Sequence, residues 1–120
     1  MKPRGDLFDE TTFFERVVKT RPNYIHALIP LAEACTHQGF YDKGLQIDKR
    51  LAKLCPNDPV IHYNLACSYA LLGQIEEALS GLEKAIKLGY RDFVYLKKDR
   101  DLKSLHHDPK FKALIQAQDR

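Results

Sequence analysis

Residues 59–88, Pro59 to Leu88, read PVIHYNLACSYALLGQIEEALSGLEKAIKL, and this stretch decides the fold. Its first half places apolar residues at Ile61, Leu65, Ala66, Tyr69 and Leu72. Spacings of three and four gather them on one face of a helix. Gly73 ends that helix, because glycine enters the left-handed conformation without a side-chain clash. The second half restarts at once, with Ile75, Ala78, Leu79, Leu82, Ala85 and Ile86 on one face. Glu76 and Glu77 stand in its first turn and Lys84 and Lys87 in its last, the polarity that suits a helix dipole. Each apolar stripe is too narrow to bury itself alone, so the two helices form a hairpin. The short side chains of Ala66, Ala78 and Ala85 let the pair approach closely.

Thirty-four residues earlier the hairpin recurs more loosely. Leu31 and Ala32 fall on Leu65 and Ala66, Gly39 on Gly73, Gly44 on Ala78, Leu45 on Leu79, and Lys53-Leu54 on Lys87-Leu88. One step further back, Pro22 stands 34 residues before Pro56, and half a hairpin remains. Phe13, Phe14, Val17 and Val18 form the apolar face of a lone helix over roughly residues 9–20, with Asp9 as its cap. Leu7-Phe8 is placed to staple onto that helix.

A fixed period of 34 is the tetratricopeptide length. The run Asn64-Leu65-Ala66, Tyr69, Gly73, Ala78, Leu82, Ala85 resembles that family's pattern almost position by position. The earlier copy departs from it at Cys35, Asp48 and Leu51, where Tyr69, Leu82 and Ala85 stand in the later one, while Pro56 matches the family's closing proline. The resemblance covers about residues 9–90. It implies an all-α fold: a right-handed superhelical stack of antiparallel helix hairpins, with about two and a half repeats plus short capping helices. The expected divisions of this single domain are a half repeat over 9–22, repeats over 23–58 and 59–90, and a helical cap over 91–120.

The tail breaks the period. Phe93, Val94 and Leu96, then Leu102 and Leu105, then Phe111, Leu114 and Ile115 form short apolar groups. Asp92, Asp101 and Asp108 precede them as helix caps, and Pro109 suits a first helical position. The tail is similar to the closing segment of bacterial tetratricopeptide proteins. A solenoid must cover the apolar face of its last repeat, so residues 91–120 are expected to be that cover. By the same token the solenoid is expected to end there, as a complete small protein. Within the first full repeat, Pro30 falls inside the helix expected from about Asn23 to His37. There it removes a backbone donor and is expected to kink the helix or cost it a hydrogen bond. The next helix is expected from about Tyr41 to Leu54.

With 120 residues, 44% hydrophobic and 29% charged, the chain has room for one continuous core. A net charge of +3 with scattered basic residues does not point to nucleic acid. No apolar run reaches the roughly 18 residues needed to cross a membrane, and the N-terminus lacks the apolar stretch of a signal peptide. Cys35, Cys55 and Cys67 are odd in number and lack paired spacing, so they read as reduced thiols of a cytoplasmic protein.

No catalytic constellation stands out, and no cofactor or metal is expected. There is no phosphate loop and no nucleophile elbow. The histidines His26, His37, His62, His106 and His107 do not combine with the cysteines at ligand spacing. Cys67 lacks a nearby cation or helix N-terminus to lower its pKa; a thiol enzyme using it is the least favoured reading.

The resemblance implies a non-enzymatic scaffold that binds a peptide or helix of a partner protein on its concave wall. The positions matching that wall are His26, Ile29, Glu33, Thr36 and His37, then Val60, Tyr63, Asn64, Cys67, Ala70 and Leu71, with Lys97 closing it from the cap. These positions could instead face solvent or lie partly under the cap. Chaperone-binding members of the family grip a terminal carboxylate with lysines, asparagines and an arginine. Asn64 matches one of these, but Ile29 and Glu33 replace a lysine and an asparagine, so no such clamp is expected. The mixed apolar and aromatic wall suits an apolar segment instead. The alternative reading is a homodimer built through the exposed side of Phe13-Phe14.

Overall fold

In the computed structural model, which describes residues 10–118, the chain is all helical, and no strand occurs among the described residues. In order come α1 (Glu10–Thr20), α2 (Ile25–His37), α3 (Tyr41–Leu54), α4 (Pro59–Leu71) and α5 (Ile75–Lys87). The tail supplies α6 (Phe93–Lys98), a 3₁₀ segment (Arg100–Leu105) and α7 (Pro109–Gln118). Helices α2 and α3 pack as one hairpin, α4 and α5 as the next, and α1 lies against α2. This is the stack that the 34-residue period implies. Asp9 and the Leu7-Phe8 staple lie outside the described residues.

The turns repeat in their hydrogen bonds. Gly39 and Gly73 have φ of 87° and 75°. After each, the next N–H reaches back to a carbonyl inside the helix: Phe40 to Cys35 at 2.8 Å and Gln74 to Tyr69 at 3.0 Å. Gly89 repeats the device after α5, with φ 118° and Tyr90 donating to Ala85 at 2.9 Å. A side chain at any of these three would strain the left-handed backbone. Asp58 starts α4 by accepting from the N–H groups of Val60 and Ile61, with Pro59 in the first turn. Helix α2 continues through Pro30 unbroken, although that residue has no N–H to donate to the preceding turn.

Leu31, Ala32, Gly44, Ala66, Ala78, Leu82 and Ala85 are all buried, with Leu65 and Tyr69 half-buried beside them. Helices α4 and α5 pack tightly at Gly81, which the apolar period does not mark. A Cβ there would stand 3.1 Å from the Cβ of Ala66 and 3.3 Å from its Cα. In the first hairpin the tight position is Gly44 instead, where a Cβ would meet the Thr36 hydroxyl at 3.0 Å. Gly81→Ala is therefore expected to cost about 1 kcal/mol, since the squeeze on Ala66 backbone outweighs alanine's better helix propensity. Gly44→Ala meets only a side-chain end that can rotate, and is expected to stay within about 0.5 kcal/mol of the parent. Thermal melts of the two variants make the comparison.

Helix α4 shows why the tail matters. Besides the stripe read from the sequence, Tyr63, Cys67, Ser68 and Ala70 are buried on its other sides. The tail covers Tyr63, Cys67 and Ala70, while Ser68 faces Asp48 of α3. Leu96, Leu102, Leu105, Phe111 and Ile115 join Tyr63, Ala66, Cys67 and Leu82 in one core cluster. A second cluster joins Leu28, Leu31, Cys35 and Leu51 of α2 and α3 to Ile61 of α4, with Phe14 and Val18 of α1 packed against it. Asp92 caps α6 through Tyr95 N–H, and Asp108 accepts from Lys110 N–H at the start of α7. For the middle segment the expected cap, Asp101, is replaced by Asp99, whose Oδ1 accepts from Asp101 N–H at 3.0 Å. The segment starts at Arg100, two residues earlier than the apolar pattern indicates.

Candidate functional site

One cavity of about 460 Å³ opens between the leading helices and the cap. Helix α2 lines it with Ile29, Ala32, Glu33, Thr36 and His37. Their spacings of three and four present one face of that helix. Helix α4 contributes Tyr63, Asn64, Cys67 and Ser68 across from it. Asp48 and Leu51 reach in from α3, and Tyr95, Asp99 and Asp101 close the far side from the cap.

Seven of the twelve wall positions named from the sequence meet here: Ile29, Glu33, Thr36, His37, Tyr63, Asn64 and Cys67. The other five lie elsewhere. His26, Val60 and Lys97 are exposed outside the cavity, and Leu71 is half-buried outside it. Ala70 is a correction: it is buried beneath the cap, and its carbonyl accepts from Ser104 Oγ at 3.0 Å. The sequence reading missed Ala32, Asp48, Leu51, Ser68, Tyr95, Asp99 and Asp101 as lining. A signal did exist for Asp48, an acid where the next repeat has Leu82 inside a helix-helix contact. For Asp99 and Asp101 no local signal exists, because only the docking of the cap brings them in.

The lining is more acidic than the leading helices alone imply. Among the described residues, Glu33, Asp48, Asp99 and Asp101 face the cavity with one histidine, His37, and neither lysine nor arginine. Asp48 is 4% exposed and accepts a hydrogen bond from the Ser68 hydroxyl. Burial pushes its carboxyl up to about 6; the Ser68 bond pulls it down and the Glu33 charge pushes it further up. Asp99 is 6% exposed and accepts from Tyr63 Oη at 2.5 Å and from Cys67 Sγ at 3.8 Å. Burial, then the neighbouring Asp99, raises the Asp101 carboxyl. Tyr63 stacks on Tyr90 with ring centroids 4.3 Å apart and meets Tyr95 at 6.4 Å, tilted by 48°.

This environment works against a nucleophilic thiol. Burial, then the charges of Asp99 and Asp101, push the Cys67 pKa up, whereas a reactive cysteine needs it lowered. Cys55 is the most exposed of the three thiols, with Cys35 and Cys67 buried. A maleimide at pH 8 is expected to label Cys55 first and Cys67 at least about ten-fold more slowly. Peptide mapping of partly labelled protein reads the order. Donor atoms of Cys67, Asp99 and Asp101 lie within 4.8 Å of one another. Three donors fall short of a closed four-ligand zinc site, and both Asp99 oxygens already hold the cap in place. No described helix is long and apolar enough to cross a membrane.

The family description of the tetratricopeptide repeat matches residues 49–80. The chain is also 43% identical over 56 residues, 47% of its length, to an Arabidopsis thaliana protein designated chloroplastic. It spans 17% of that protein's length. That relative does not speak for the bacterial and cytoplasmic expectations. The 34-residue period, the paired helices with glycine turns and the matched stretch agree with one another: residues 49–80 carry a tetratricopeptide repeat within an all-α stack of helix hairpins.

Proposed function

We propose that this chain is a non-enzymatic scaffold whose groove between α2, α4 and the cap binds a segment of another protein. Tetratricopeptide repeats serve as protein interaction modules, and the observation that carries the reading here is the cavity itself. It lies where two leading helices and a cap meet, and it is lined by side chains from four parts of the chain. Its volume of about 460 Å³ lies within the usual range of ligand sites. In this reading one half repeat, two full repeats and the cap act as one unit. An extended peptide or a short helix lies along α2 and α4.

A photo-crosslinking amino acid at Glu33 or Tyr95, both on the cavity, tests this against the same group at Glu83 on the outer face of α5. Adducts to a second protein from the two groove positions, and none from Glu83, support the reading. Adducts from Glu83 alone overturn it. A second reading, self-association, is favoured by one feature: Phe13 on α1 is 59% exposed. Sedimentation over a range of concentrations, with Phe13→Ser alongside, decides that question. A dimer that the substitution dissolves supports self-association, and a monomer throughout rejects it.

A further inference from the structure

We propose that the groove recognises a positively charged side chain, lysine or arginine, on the segment it binds. This rests on the groove reading above and names the chemistry of its partner. The chain as a whole carries a net charge of +3, so the four carboxylates in the lining do not reflect its composition. They come together from three separate elements, while the described lysines and arginines stay out of the cavity.

Buried carboxylates normally sit beside a cation or a full set of donors. Asp99 has such a set in Tyr63, Cys67 and the Asp101 N–H. Asp48 is buried just as deeply, but its hydrogen bond comes from a neutral hydroxyl, and the charge beside it is the like charge of Glu33. The cavity therefore holds negative charge that its own walls do not balance. Two aromatic rings, Tyr63 and Tyr95, line the same space, and ring faces attract cations. Ile29 and Leu51 supply apolar wall for the aliphatic stem that carries a guanidinium or ammonium group. A carboxylate-bearing segment meets repulsion at every one of these acids. The apolar partner that the leading helices alone indicate leaves them desolvated without a counter-charge.

Blocked single residues are the probes: the N-acetyl methylamides of arginine, norleucine and glutamate, and Zn²⁺ alone. Each is titrated into the intact, ¹⁵N-labelled chain at low salt. The arginine probe is expected to shift the amides around Glu33, Asp48 and Asp99 saturably. It should bind about ten-fold more tightly than norleucine, a difference of about 1.4 kcal/mol. The Glu33→Gln/Asp101→Asn double variant, altered at an exposed and a half-buried position, is expected to erase that preference, and about 0.5 M salt to weaken it. Equal binding of norleucine in the cavity overturns the charge inference and leaves the groove reading standing. So does a preference for glutamate. Zn²⁺ shifting only Cys67, Asp99 and Asp101, with no response to arginine, overturns it in favour of a metal site. Arginine bound outside the cavity, or no response to any probe, overturns it as well. The crosslinking experiment judges the groove separately.

Discussion

Asp99→Ala is expected to lower stability by about 3 kcal/mol and to release the cap from α4. Three things go at once. The 3₁₀ segment loses its side-chain cap, worth about 1 kcal/mol. The Tyr63 hydroxyl, on a residue 4% exposed, loses its acceptor, at about 1–3 kcal/mol for a buried polar group left without a partner. Cys67 loses its weaker bond to the same oxygen. Relief of a buried charge does not cancel these terms, because Asp99 is already stabilised by those donors. The melting temperature is expected to fall by about 10 °C.

The pattern of the loss matters as much as its size. Hydrogen exchange should speed up in α6, the 3₁₀ segment and α7 while α2 and α3 keep their protection, since the two core clusters are distinct. Asp92→Ala is the comparison, because it removes an exposed cap on α6 without touching α4. It should cost only about 1 kcal/mol. Equal losses in the two variants would mean that the buried network does not hold the cap in place.

Asp48→Asn is expected to act in the opposite direction. Asparagine keeps an acceptor for the Ser68 hydroxyl and removes a buried negative charge beside Glu33. The folded-state pKa of about 6 lies above the ordinary 3.8, so the folded chain holds this proton more tightly than the unfolded one. The resulting stability is fully present below pH 4 and is lost as pH rises through 6. A difference of that size corresponds to about 3 kcal/mol between the protonated and ionised ends. The parent should therefore lose stability between pH 4 and pH 7, and the variant should not show that slope. At pH 8 the variant is expected to be about 2 kcal/mol more stable, while at pH 4 the two nearly coincide. Urea unfolding across this range measures it. A constant difference from pH 4 to pH 8 would refute a buried, uncompensated charge at this position. The same variant should bind the arginine probe more weakly, so the gain in stability and the loss of binding share one cause.

The hairpins were legible because their information is local. Gly39 and Gly73 mark turns that only a left-handed residue closes, and both have positive φ. Leu31, Ala32, Ala66, Ala78 and Ala85 lie in the helix contacts where the period put them. Tyr41–Leu54 matches its helix end to end. The start of α2 is two residues later than expected, at Ile25, because Tyr24 takes an extended conformation ahead of it. Gly81 is not legible in the sequence, because a lone glycine among helix formers carries no periodic signal. Its role depends on the distance between α4 and α5.

Chain order and side-chain period by themselves determined that this protein is a stack of helix pairs followed by short helices. Each decision needs only neighbours three or four residues away, or one glycine at a turn. Tertiary structure alone decided the character of the groove. Asp48, Asp99 and Asp101 reach one cavity from α3 and the cap, and Asp99 bonds to Tyr63, 36 residues earlier in the chain. Charge acts through space, and no local pattern records which distant acids the docking of a cap will bring within a few ångströms of each other.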